Sequence, residues 1–238
     1  MPIHAAPSPT RRFLLGSFAC GCAAAMTGGL HSAPARAADA AHTDLTADQA
    51  LDMLRRGNQD FVNDRQPQVA MNRARRLEIA KGQTPFAVLV GCSDSRVAPE
   101  LLFGRGLGEL FIVRVAGNTV DRTALGSIEY GVAELGCPLV VVMGHERCGA
   151  VQAAVKAVTD DTRFPGAIGE MVAPIIPAVL RAQRMQGDLV ANAAKENVRQ
   201  VVRRLSETDD ILSDPVQKGK VKIAGAYYNL GDGSVEFL

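Results

Sequence analysis

An excess of charge of either sign is missing from this 238-residue chain: 26 basic and 25 acidic side chains, dispersed along it, leave a formal net charge of +1. That removes the electrostatic footprint expected of a nucleic-acid binder. The pairs Arg55-Arg56, Arg75-Arg76 and Arg203-Arg204 read instead as solvated helix faces. No internal repeat is visible. Glycine-rich phosphate loops are missing too, because Gly104-Arg105-Gly106-Leu107-Gly108 lacks the G-x-G-x-x-G spacing and precedes a strand, so it reads as a turn. Tryptophan is absent, and histidine is scarce, with four in all: His4, His31, His42 and His145.

What is present is a hydrophobic content of 47%, enough for one globular domain with its own core. Residues 1–37 read separately. Thr10-Arg11-Arg12-Phe13-Leu14-Leu15 opens an apolar Ala/Gly-rich stretch, and Ala35-Arg36-Ala37 supplies a small-residue cleavage site. The pattern is that of a twin-arginine export signal, which implies a periplasmic destination and no stable membrane association after cleavage. The alternative is a membrane anchor, or a lipid tether at Cys20 or Cys22. Cleavage after Ala37 removes three arginines and no acid, leaving 23 basic against 25 acidic residues. Three cysteines then remain, Cys92, Cys137 and Cys148. Cys137, between Gly136 and Pro138, reads as a small buried hydrophobe. His145 is the one histidine left in the folded region.

Residues 38–45 form a short Ala-rich tail, taken as flexible. Thr46 and Gln49 make a capping box for a first helix reaching about Asn63. A second helix is expected over 72–81. Strands follow at 86–90, 110–115 and 139–143, with helices from near Pro99 and over 122–135, then over 150–158, 166–186 and 188–206. A hairpin of 221–227 with 234–238 ends the chain. This order predicts an α/β fold: an open, mainly parallel central β-sheet flanked by helices, with an N-terminal helical arm and a C-terminal hairpin.

Two motifs follow apolar strands, Gly91-Cys92-Ser93-Asp94-Ser95-Arg96 and Gly144-His145-Glu146-Arg147-Cys148-Gly149. Both therefore sit at the strand ends where open sheets bind ligands. Two thiols and an imidazole are three ligands for a Zn²⁺ ion, with water or Asp94 in fourth place. The helix start after Cys148 should favour its thiolate. A Cys92–His145 nucleophile pair would leave Cys148 and Asp94 without a role, and a serine triad on Ser93 or Ser95 lacks a free histidine. A closed structural zinc with Asp94 bound is the competing reading. Arg96 argues against it, because its forked guanidinium can hold that carboxylate off the metal.

With both motifs in hand, residues 46–238 resemble a β-class carbonic anhydrase. The resemblance implies one zinc per chain on Cys92, His145 and Cys148, with Asp94 and Arg96 as the dyad beside it. It places Gln83 as the substrate-binding amide, and Phe111 and Tyr130 as an apolar pocket wall reaching across from a neighbouring subunit. It therefore implies a homodimer or a dimer of dimers, with the N-terminal helix wrapping its partner. The implied activity is reversible hydration of CO₂ to bicarbonate and a proton by zinc-bound hydroxide. CS₂ or COS hydrolysis on the same site is the alternative, and a non-catalytic zinc-stabilised binding protein a third. No histidine lies nearby as a shuttle unless the tail brings His42 close, so buffer or water is expected to carry the proton. Family members with an inhibitory bicarbonate site carry a Trp where this chain has Leu89, which leaves that site in doubt.

Overall fold

β1 (Ala87–Gly91) and β3 (Leu139–His145) are buried along their whole length, and this double burial organises everything around them. Successive side chains of a strand point to opposite faces. Val88 and Val90 of β1 and Val140 and Val142 of β3 thus enter one apolar cluster, while Leu89, Val141 and Met143 enter another. A strand covered on both faces has no polar alternation, which explains the continuous aliphatic runs. The computed structural model describes residues 42–65, 69–207 and 210–238. The expected signal over 1–37 lies outside them.

The described part of the chain runs α1 (Ala47–Val62), α2 (Arg73–Ile79), β1, α3 (Pro99–Leu102), β2 (Leu110–Arg114), α4 (Arg122–Ala133), β3 and α5 (Gly149–Thr159). It continues with α6 (Ala167–Val172), α7 (Ile176–Ala182), α8 (Leu189–Glu207), α9 (Asp210–Gln217), β4 (Lys222–Tyr228) and β5 (Val235–Phe237). The five strands lie in the order β2-β1-β3-β4-β5, parallel except for the hairpin partner β5. Helices α4, α8 and α9 cover one face, and α1 and α3 the other. Among the described residues no helix is long and apolar enough to cross a membrane.

The N-terminal arm begins with the capping box: Gln49 N–H donates to Thr46 Oγ1 at 3.3 Å, and Thr46 N–H to Gln49 Oε1 at 2.8 Å. Its stripe of Ala50, Leu51 and Leu54 is buried on the chain's own sheet. The arm's apolar stripe is thus covered by its own chain. Gly57 permits that approach, because a Cβ there would sit 1.9 Å from the Phe103 carbonyl oxygen. Buried Asn58 then donates to Gly233 O at 2.9 Å and accepts from Val235 N at 2.8 Å, tying the arm to the hairpin.

Two helices differ from expectation. The single helix read over 166–186 is broken into α6, a 3₁₀ turn (Ala173–Ile175) and α7, since Pro174 and Pro177 lack the N–H a continuous helix needs. Helix α9, with Pro215 inside it, was not anticipated.

Candidate metal centre

The neighbouring strands β1 and β3 end together, and the site is built where they stop. Cys92 follows β1, His145 is the last residue of β3, and Cys148 is the N-cap residue of α5. Between the last two, Arg147 takes a φ of 52°. That left-handed turn costs a non-glycine residue about 1 kcal/mol, and it brings Cys148 back toward the imidazole. The two sulfurs lie 4.0 Å apart, and the three donor atoms all lie within 4.8 Å of one another. All three side chains are buried.

His145 Nδ1 lies 2.9 Å from the Glu146 carbonyl oxygen, which fixes its proton on that nitrogen. Nε2 is left buried with no hydrogen-bond partner. Leaving such an acceptor unmade costs about 1–3 kcal/mol, unless something else takes the lone pair. A tetrahedral dication with metal–sulfur bonds of about 2.3 Å would space two sulfurs by about 3.8 Å, close to the separation found. The group could hold a metal ion, and two thiolates with an imidazole suit one of the zinc type.

A hydrogen bond links the two thiols. Cys92 is pulled down chiefly by the hydrogen bond from Cys148, against the cost of burial, with further help from the Gly117 N–H. Cys148 is pushed up by that same bond and by burial. The amides of Ala150 and Val151 at the start of α5 act the other way on it and are outweighed, so the helix start does not by itself make Cys148 the thiolate of the pair.

Asp94 lies beside this group without joining it. Its Oδ2 is 3.8 Å from His145 Nε2, beyond hydrogen-bond reach. Arg96 grips it in a fork, Nε to Oδ1 at 2.9 Å and Nη2 to Oδ2 at 2.7 Å, while the Arg96 backbone N–H adds a bond of 3.0 Å to Oδ1. This guanidinium holds the carboxyl well below the usual carboxylate range. A cavity of about 320 Å³ lined by Arg96, Glu146, Arg147 and Tyr228 opens next to the dyad. A larger cleft of about 630 Å³ lies between α1 and β5, away from Cys92, His145 and Cys148. The chemistry therefore locates the site where cavity size would not.

Two contributors escaped the sequence reading. Arg114, at the end of β2, donates from Nε to Cys92 O at 2.8 Å and from Nη2 to Asp94 O at 2.7 Å, bracing the loop that carries both. Its only signal is register, because it pairs with Gly91, the residue before Cys92. Gly117 donates its N–H to Cys92 Sγ at 3.2 Å.

Gln83, Phe111 and Tyr130 are not brought to the thiols within one chain. Gln83 is exposed before β1, so five strand residues at about 3.3 Å each separate it from Cys92 by roughly 16 Å or more. Phe111 of β2 pairs in register with Val88, near the start of β1. Its ring lies 6.2 Å from that of Tyr130, which is 44% exposed. His42 rests against Gly136, before the opposite end of β3.

Fold and donor set together define an α/β protein with a Cys-His-Cys group that could hold a metal ion at the C-terminal edge of a parallel sheet. The sequence model of the carbonic anhydrase family matches residues 87–235, a span that contains both motifs. Carbonic anhydrase 2 of Mycobacterium tuberculosis is 40% identical over 180 residues, covering 76% of this chain and 87% of the relative. A β-carbonic anhydrase of Coccomyxa, solved with acetazolamide, has a TM-score of 0.60 at 25% identity over 79% of this chain and 86% of its own. The tetrameric β-carbonic anhydrases of Sordaria macrospora share the fold, with a TM-score of 0.64 at 24% identity over 70% and 87%. The chain belongs to the β-class carbonic anhydrase family, whose members are enzymes.

Proposed function

We propose that this protein catalyses the reversible hydration of CO₂ to bicarbonate and a proton at a zinc ion held by Cys92, His145 and Cys148. The observation that carries the reading is the partnerless His145 Nε2, buried within reach of two sulfurs, next to a carboxylate that a guanidinium holds aside. Zinc in such a site supplies Lewis acidity, which brings the pKa of water from about 15.7 toward about 7.

The rest is the work of the chain. Asp94, kept ionised by Arg96, offers an acceptor for the proton of the attacking water and so orients its lone pair toward CO₂. Arg96 also keeps Asp94 from taking the open ligand position itself. Gln83, supplied by a neighbouring subunit, donates to the substrate oxygen on which charge develops, and Phe111 and Tyr130 wall the apolar approach. The active species is therefore a homodimer or a larger assembly of such pairs. Buffer and water carry the protons away from the site. Residues 1–37 direct the chain to the periplasm by the twin-arginine route.

Stopped-flow CO₂ hydration, before and after stripping and restoring zinc, tests the reading. Rapid hydration that vanishes with the metal and returns with it is expected. Fully zinc-loaded protein that hydrates no CO₂ would overturn it, and the same sample tried on CS₂ and COS would then show whether the site serves those linear molecules instead.

A further inference from the structure

Helix α8 crosses behind the metal centre with a buried apolar face of Ala193, Ala194, Val198 and Val201, interrupted by one amide, Asn197, only 1% exposed. Its Nδ2 donates to the Gly117 carbonyl oxygen at 2.8 Å, while its Oδ1 has no partner. Turning the amide over would set two acceptor oxygens against each other, so its orientation is fixed. An apolar residue would fill this position without a stranded acceptor, and what the amide supplies in exchange is its hold on Gly117.

Gly117 is thus held at both ends, its carbonyl on Asn197 and its N–H on Cys92 Sγ at 3.2 Å. Its φ of 69° is a left-handed conformation, and a Cβ would meet Ile175 Cδ1 at 2.7 Å, so the place demands glycine. Glycine is also the residue with most freedom to turn away, and a tether is what keeps its N–H on the sulfur. Such a bond draws charge out of a thiolate and tunes the ion it ligates. We propose that Asn197 is a positioning residue for the metal centre, fixing the Gly117 turn so that its N–H stays on the Cys92 sulfur. The inference rests on the reading of Cys92, His145 and Cys148 as a metal site.

The test uses the full chain loaded with cobalt. In Asn197→Leu the sulfur-to-metal charge-transfer band should move to lower energy, and retention of the ion against a chelator should weaken by about ten- to a hundredfold. In the unsubstituted loaded protein the Gly117 amide should exchange its hydrogen as slowly as the amides of β3. A folded Asn197→Leu with an unmoved band and undiminished retention would overturn the proposal. So would fast exchange at Gly117 in the unsubstituted protein, a measurement that decides the matter even when the variant fails to fold. An unsubstituted chain that takes up no cobalt overturns the metal centre itself, and the inference with it.

Discussion

Asp94 and Cys148 belong to one site yet should fail in different ways when replaced. Cys148→Ser or His145→Ala removes a donor from a group of three, so metal and activity should leave together, as metal analysis after dialysis would show. Asp94→Asn leaves all three donors in place and removes an acceptor, so zinc should stay while kcat/KM falls by about a hundredfold or more. Full turnover in that variant would end the role given to the carboxylate. Cys137, 1% exposed, has a different chemistry. Burial pushes its thiol up to about 12, against about 8.5 in an unfolded chain. Between those values the unfolded chain has lost the proton and the folded one keeps it. The thiol's contribution to stability is therefore whole below about pH 8.5 and lost above it, at roughly 1.4 kcal/mol per pH unit. Urea denaturation across the alkaline range should show a shallower decline for Cys137→Ala than for the unsubstituted protein, and equal slopes would refute the assignment.

At the scale of elements, legibility followed burial. β1 and β3 read as strands because both faces are covered and no polar residue interrupts them. The helix of α1 read correctly because Thr46 and Gln49 carry their signal within four residues. Proline defeated the reading in two opposite ways: Pro174 and Pro177 broke a helix expected whole, and Pro215 sits inside one not expected. The thiols and the imidazole were legible from their motifs, whereas Arg114 and Asn197 were not, since the role of each arises from strand register or helix placement across at least 20 residues of sequence. Gly57 exposes the same dependence on packing. In an isolated helix Gly→Ala gains up to about 1 kcal/mol, but here the added carbon would meet the Phe103 carbonyl oxygen at 1.9 Å. Gly57→Ala should destabilise the protein by about 1–3 kcal/mol through the forced shift of α1. A melting temperature equal to or above that of the unsubstituted chain would mean that the arm does not lie against Phe103.

For the whole molecule, the separation of Gln83 from the thiols carries the strongest consequence. One chain holds the Cys-His-Cys group at one end of its sheet, and the amide and aromatic pair the family resemblance assigns to it nearer the other. A closed pair of subunits related by a two-fold axis can join the two ends reciprocally, each site completed by the other chain. Mixing then separates what a single chain cannot. Gln83→Leu keeps its thiols and lacks the amide, and Cys148→Ser keeps its amide and lacks a thiol, so neither should hydrate CO₂ well alone. Unfolded together in equal amounts and refolded, half the pairs are mixed, and in each of these one site combines intact thiols with an intact amide. Roughly a quarter of the unsubstituted activity should therefore return, by the statistics of a two-fold pair. No recovery from a mixture shown by tagged pull-down to contain mixed pairs would mean that Gln83 does not serve its neighbour, and its distance along β1 would then leave it no part in the reaction.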